Sequence, residues 1–270
     1  MRTFGIDLAS QPDNTAMCLI EWRDADAAVV ELARGSDRFG ERLYDKRLLH
    51  AMVGDLYGIA PAMTAIDAPL GWPTLFAQVI ANQSDWPDAL EENPARLVRR
   101  STDIHVAELT GKQPLAVTTE RIAYAAMRAN RILGRLQRAS HLTVDRSGLT
   151  GAICETYPDA ALRRFGLWPD GLGPRVSYKS KEDPAVRRQI VEGLLRRAPW
   201  LTLQAGHREL LHASDDCLDA LLCALVARAC VTKQTIPPPD LALASVEGWI
   251  HLPHGANTLE RLIDRPLLSA

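Results

Sequence analysis

Short apolar runs separated by polar turns fill the first third of the chain. Residues 3–9 form one run, carrying a single acid at Asp7, and Gln11-Pro12-Asp13-Asn14 then has turn chemistry. Residues 16–22 form a second run, 23–26 a polar break, and 27–33 a third. Short polar connections predict antiparallel neighbours, so these runs read as a three-stranded meander. The pattern then changes period. Over 41–57, Leu43, Leu48, Leu49, Met52, Val53 and Leu56 recur as they would on a helix. Residues 62–67 return to a short strand that ends in Asp67, and the prolines and glycine of 68–73 require a loop.

From Trp72 to about Arg146 the chain reads as largely helical and rich in arginine, with Thr118 or Thr119 able to cap a helix to about Ala139. Residues 151–155 predict another short strand, ending in Glu155. Pro158-Asp159 opens a helix that closes at Gly166, and 167–182 reads as a loop. Asp183-Pro184 opens a helix to about Ala198, and Ser214-Asp215-Asp216 opens a strongly apolar one to about Val231. After the rigid break at Pro237-Pro238-Pro239, residues 246–252 fit a last strand. The order predicts an α/β fold: one domain over 1–270, built on a mixed sheet flanked by helices, with a helical insertion at about 72–146.

Composition narrows the function classes. Apolar residues make up 47% and charged residues 24%, an ordinary globular balance. The net charge of −2 excludes a uniformly basic nucleic-acid binder but leaves room for a local basic stripe. The longest apolar run, 220–227, is far short of the ~20 residues a membrane span needs. A carboxylate at Asp7 interrupts the opening residues, so no secretory signal is expected. The five cysteines have no CxxC spacing and read as buried thiols of a cytoplasmic protein. The histidines lack zinc-site spacing, and neither a phosphate-binding P-loop nor GxGxxG is present.

The candidate chemistry lies in four acids placed among apolar neighbours: Asp7, Asp67, Glu155 and Asp219. An ionised carboxylate in such surroundings is costly without a partner, and several together raise each other's pKa. A divalent cation resolves both problems. Asp216 stands i, i+3 from Asp219 and so shares its helix face, and Asp215 is the other plausible partner. Asp215 and Asp216 also suit a helix N-terminus, and for those two that capping role stays open.

Several segments together carry a resemblance. They are Gly-Ile-Asp-Leu-Ala at 5–9, Ala-Ile-Asp-Ala-Pro-Leu-Gly at 65–71, Arg100-Ser-Thr-Asp103, Glu155-Thr-Tyr-Pro158, Asp-x-x-Asp-Ala-Leu-Leu at 216–222 and Glu247-Gly-Trp-Ile250. In this order the chain resembles the domain-of-unknown-function 429 family, predicted RNase H-like nucleases. The resemblance implies an RNase H-like sheet whose first strand is central. It implies Asp7, Asp67 and Asp219 as metal ligands, with Asp216 or Glu155 as the fourth acid. It also implies two-metal hydrolysis of a phosphodiester with magnesium or manganese.

A nucleic-acid partner would need cations beside that site. Arg128, Arg131 and Arg135 are spaced to share one helix stripe, with Arg121 a heptad before Arg128, and Arg100 stands in an earlier cluster. Both readings remain open here: phosphate contacts or a solvated face, and for Arg100 a local pair with Asp103. Lys179 and Lys181, with Tyr178, are a substrate contact or a solvated loop. Two rival functions are carried forward: a non-catalytic nucleic-acid binder, and an ATP-handling protein of the actin and sugar-kinase fold group. The second is disfavoured because residues 9–12 lack the phosphate-loop glycines.

Overall fold

A computed structural model describes residues 1–82, 94–140, 144–173, 176–180 and 184–264. The expected Asp183 cap and Lys181 lie outside the described residues. The three apolar runs form β1 (Arg2–Asp7), β2 (Ala16–Trp22) and β3 (Ala27–Arg34), each antiparallel to the next. β4 (Met63–Asp67) pairs parallel with β1, and β5 (Ile153–Glu155) pairs parallel with β4. A sixth strand, β6 (Leu201–Leu203), lies parallel to β3 and completes the order β5-β4-β1-β2-β3-β6. This mixed six-stranded sheet is consistent with an RNase H-like fold, with β1 inside it.

The inner strands read as nearly unbroken apolar runs because both sheet faces are covered. On one face, α1 (Asp45–Met52) and a long helix, Glu120–Ser140, bury Leu48, Ala129, Ile132 and Leu133 against Phe4, Ile6, Met17 and Ile66. The long helix belongs to the 72–146 segment, so that segment supplies a layer of the core. It also holds α2 (Thr74–Ala81), α3 (Ala95–Val98) and α4 (Ser101–Thr110), which makes the long helix α5.

The other face is covered mainly by the apolar helix that runs Asp215–Val231. The side chain of Ser214 caps it by accepting from the backbone N–H of Cys217. It is buried without a break from Cys217 to Ala229, so its sequence shows no polar face. Before it come α6 (Pro158–Arg164), α7 (Ala185–Arg197) and α8 (His207–Ala213), making this helix α9. After it come α10 (Leu241–Glu247) and α11 (Thr258–Asp264).

The expected strand at 246–252 is corrected. Glu247 ends α10, and only one isolated parallel bridge, Glu155 to Ile250, joins the following segment to β5. The helix puts the Glu247 carboxylate where it accepts from the N–H groups of Thr74 and Ser101, at the starts of α2 and α4.

Candidate metal centre

Side-chain alternation along β1 aims Thr3, Gly5 and Asp7 at α9. The Thr3 hydroxyl donates to the Ala224 carbonyl at 2.9 Å. Gly5 lies directly under the helix: a Cβ there would overlap Ala220 O and Ala224 N and meet the Cys223 Cβ at 2.9 Å. The missing side chain therefore lets α9 settle onto β1. Asp7 is the next residue on that face, and Asp219 is one position before Ala220 on the helix. In the β1–β4 register Asp7 stands opposite Asp67. Oxygens of Asp7, Asp67 and Asp219 lie within 4.8 Å of one another. Asp219 is buried, while Asp7 and Asp67 form part of the wall of a cavity of about 580 Å³.

The electrostatics of this cluster are unbalanced. Burial, then the charges of Asp219 and Asp67, push Asp7 well above the usual carboxylate range. Burial raises Asp67 to about 7 against the opposing pull of Lys179. Burial also raises Asp219, although Lys179 and Tyr178 pull the other way. The Lys179 Nζ donates to Asp219 Oδ2 at 2.6 Å, and the Tyr178 hydroxyl donates to Asp219 Oδ1 at 2.6 Å. The three acids outweigh the cost of burying that ammonium and hold its pKa well above the ordinary value. One lysine thus faces three carboxylates. Residues 178–179 combine the two readings: Tyr178 is buried, Lys179 is exposed along its side chain, and both end on Asp219.

Glu155 does not join the cluster. It pairs with Ile66 in the β4–β5 register and so shares the face of Ile66, opposite to that of Asp67. There Arg100 seals it, donating to Oε1 at 2.6 Å and Oε2 at 2.8 Å, while the Leu70 N–H also reaches Oε2. Arg100 also binds Asp103 at 2.9 Å, and all three side chains are buried. Asp216 stays apart as well, on the exposed side of α9, paired with Arg34.

The arginine stripe divides. Arg128 points inward, where it donates to Asp45, Ala9 O, Thr15 and Leu43 O. Arg100 and Arg128 are buried with their guanidinium groups hydrogen-bonded inside the fold, Arg100 in the local pair with Asp103 that the sequence also allowed. Arg131 and Arg135 are exposed in good part and pair with Asp45 at 2.7 and 3.6 Å. Arg121 is the member placed at the site. It lines both the acid-walled cavity and a neighbouring one of about 690 Å³, bounded also by Ser10, Asn14, Arg34 and Asp216. The two cavities share Ala9, Ser10 and Arg121 and so flank the end of β1 as one interrupted groove.

The sequence profile of a family described as "Protein of unknown function (DUF429)" matches residues 5–242, a span that contains all three clustered acids. No curated protein and no solved structure matches the chain.

Proposed function

The chain belongs to the DUF429 family, and from its acidic centre we propose that it is a metal-dependent phosphodiester hydrolase, a nuclease working with magnesium or manganese. The observation that carries this reading is the convergence of Asp7, Asp67 and Asp219 from two parallel strands and a helix. The donor set fits a hard divalent cation, because every ligand atom is a carboxylate oxygen. Charge fits too: among the described residues, Lys179 is the only cation paired with the cluster, and it binds Asp219 alone.

Asp7, Asp67 and Asp219 would hold the metal. When bound, such ions supply a hydroxide nucleophile near neutral pH and stabilise charge on the leaving oxygen. The chain's own groups do the rest. Tyr178 fixes the Asp219 carboxylate by its hydrogen bond. Lys179 offers a positive charge at the cavity wall, beside the place where a phosphate would meet the acids. Arg121, exposed between the two cavities, is placed to hold a neighbouring phosphate and so to favour a polymeric substrate.

Short single-stranded DNA and RNA, incubated with the protein and Mn²⁺, test the reading. The expected result is cleavage that stops on chelation and falls roughly a thousandfold in Asp67→Asn. Cleavage that persists in Asp67→Asn would assign the activity to another site or a contaminant. No cleavage of either polymer would remove the nuclease assignment.

A further inference from the structure

A second cluster of reactive groups sits away from the acids, where β5 meets the C-terminal end of α9. Alternation along β5 turns Cys154 toward α9, opposite to Glu155. There its sulfur lies 3.6 Å from that of Cys230. Cys154 is fully buried. Cys230 is half-buried and lines a cavity of about 890 Å³, together with Met63, Lys233, Thr235 and His251. Cys18, Cys217 and Cys223 are fully buried, so Cys230 is the one thiol of the five that meets a cavity wall and also touches another thiol.

The surroundings of Cys230 favour its thiolate. His251 Nε2 is 2.8 Å from the Ser147 carbonyl, which can only accept, so Nε2 carries a proton. The Thr235 hydroxyl is directed at the Cys230 sulfur at 3.8 Å, and its oxygen is 3.0 Å from His251 Nδ1. With the hydroxyl proton given to sulfur, that oxygen accepts from a protonated Nδ1. The imidazole then carries both protons and faces a thiolate across one hydroxyl. Burial pushes the Cys230 thiol up, but the contact with Cys154 and the charge of His251 outweigh it and hold the thiol well below its ordinary value.

We propose that Cys230 and Cys154 form a peroxide-sensitive redox pair, in which Cys230 is oxidised first and Cys154 resolves it to a disulfide. The Cys230 thiolate attacks the terminal oxygen of a hydroperoxide. An S–O bond forms as the O–O bond breaks, and sulfur gives two electrons to the peroxide. The departing alkoxide or hydroxide takes a proton from His251 by way of Thr235. The Cys154 sulfur then displaces the hydroxyl of the sulfenic acid, forming the S–S bond, and its thiol proton leaves with that hydroxyl as water. The sulfurs are already in contact at 3.6 Å. It would tie β5 to α9, the helix that carries Asp219.

The full-length protein, reduced and then treated with a small excess of hydrogen peroxide, tests this. Free thiols are counted after denaturation, and blocked digests are read by mass spectrometry. The count should fall from five to three, return on reduction, and yield one cross-linked peptide joining Cys154 and Cys230. Cys154→Ser should trap dimedone at Cys230 in place of the cross-link. Thr235→Val should slow oxidation roughly tenfold with the fold intact by circular dichroism. A thiol count that stays at five, or oxidation confined to Cys18, Cys217 or Cys223, would overturn the proposal.

Discussion

Arg100 is buried, and the carboxylates of Asp103 and Glu155 compensate its charge. Removing one partner of a buried ion cluster strands the others, at a cost of about 3–5 kcal/mol. Arg100→Met should therefore lower unfolding free energy by about that amount in a denaturant titration, and a loss below ~1 kcal/mol would show that the triad does not hold the fold. Asp67 has the opposite character, a site strained by its own charge. Burial raises it to about 7 in the folded chain, whereas an unfolded aspartate titrates near ~3.9. Between those values the folded state binds more protons, so metal-free stability falls as pH rises through that window. A metal ion must displace the same proton. Mn²⁺ affinity should be about tenfold weaker at pH 6 than at pH 8, and pH-independent affinity would exclude Asp67 as a ligand. The three acids were legible because each interrupts an apolar run. Lys179 stood out only as a loop lysine; its pairing with Asp219, 40 positions away, carries no signal in a glycine- and proline-rich stretch. The spacing of Arg128 fits an arginine stripe, but Asp45, 83 positions away, decides that it points inward.

At the scale of elements, the contact between β1 and α9 sets the site. Gly5 is where the two backbones meet, and any side chain there must push the helix off the strand. Gly5→Ala should destabilise the protein by about 3 kcal/mol or more, since the overlapped atoms belong to backbone rather than to a flexible side chain. Any folded fraction should lose metal affinity along with stability, because Asp219 moves with α9. A normal melting temperature in Gly5→Ala would refute this account of the packing. The sequence announces these elements clearly: apolar runs for β1 to β5, and Ser214 with an unbroken apolar stretch for α9. β6 is as short as β5 but lacks a closing acid such as Glu155 to mark it. The start of α10 is set by Asp240, directly after the prolines at 237–239, whose side chain caps the helix by accepting from the N–H of Leu243. Register, which the sequence does not display, decides that Glu155 faces away from Asp67.

Across the whole molecule, the parallel strands β1 and β4 end together, and their carboxylates open into a groove lined by Arg121, Arg34 and Lys179. The overall charge of −2 gives no hint of this, because arginines such as Arg100, Arg128 and Arg163 pair with acids inside the fold. The groove sets Arg121, Arg34 and Lys179 beside the acid cluster, with Asp215, Asp216 and Asp159 also on its walls. Among the described residues, no helix is long and apolar enough to cross a membrane. The proposed function rests on Asp7, Asp67 and Asp219 together forming a divalent-cation site. Its most direct test is calorimetric titration of Mn²⁺ into the wild-type protein and Asp7→Asn at pH 8. The account predicts saturable binding to the wild type and at least a tenfold loss of affinity in a folded Asp7→Asn. Equal binding to both proteins, or none to either, would contradict it.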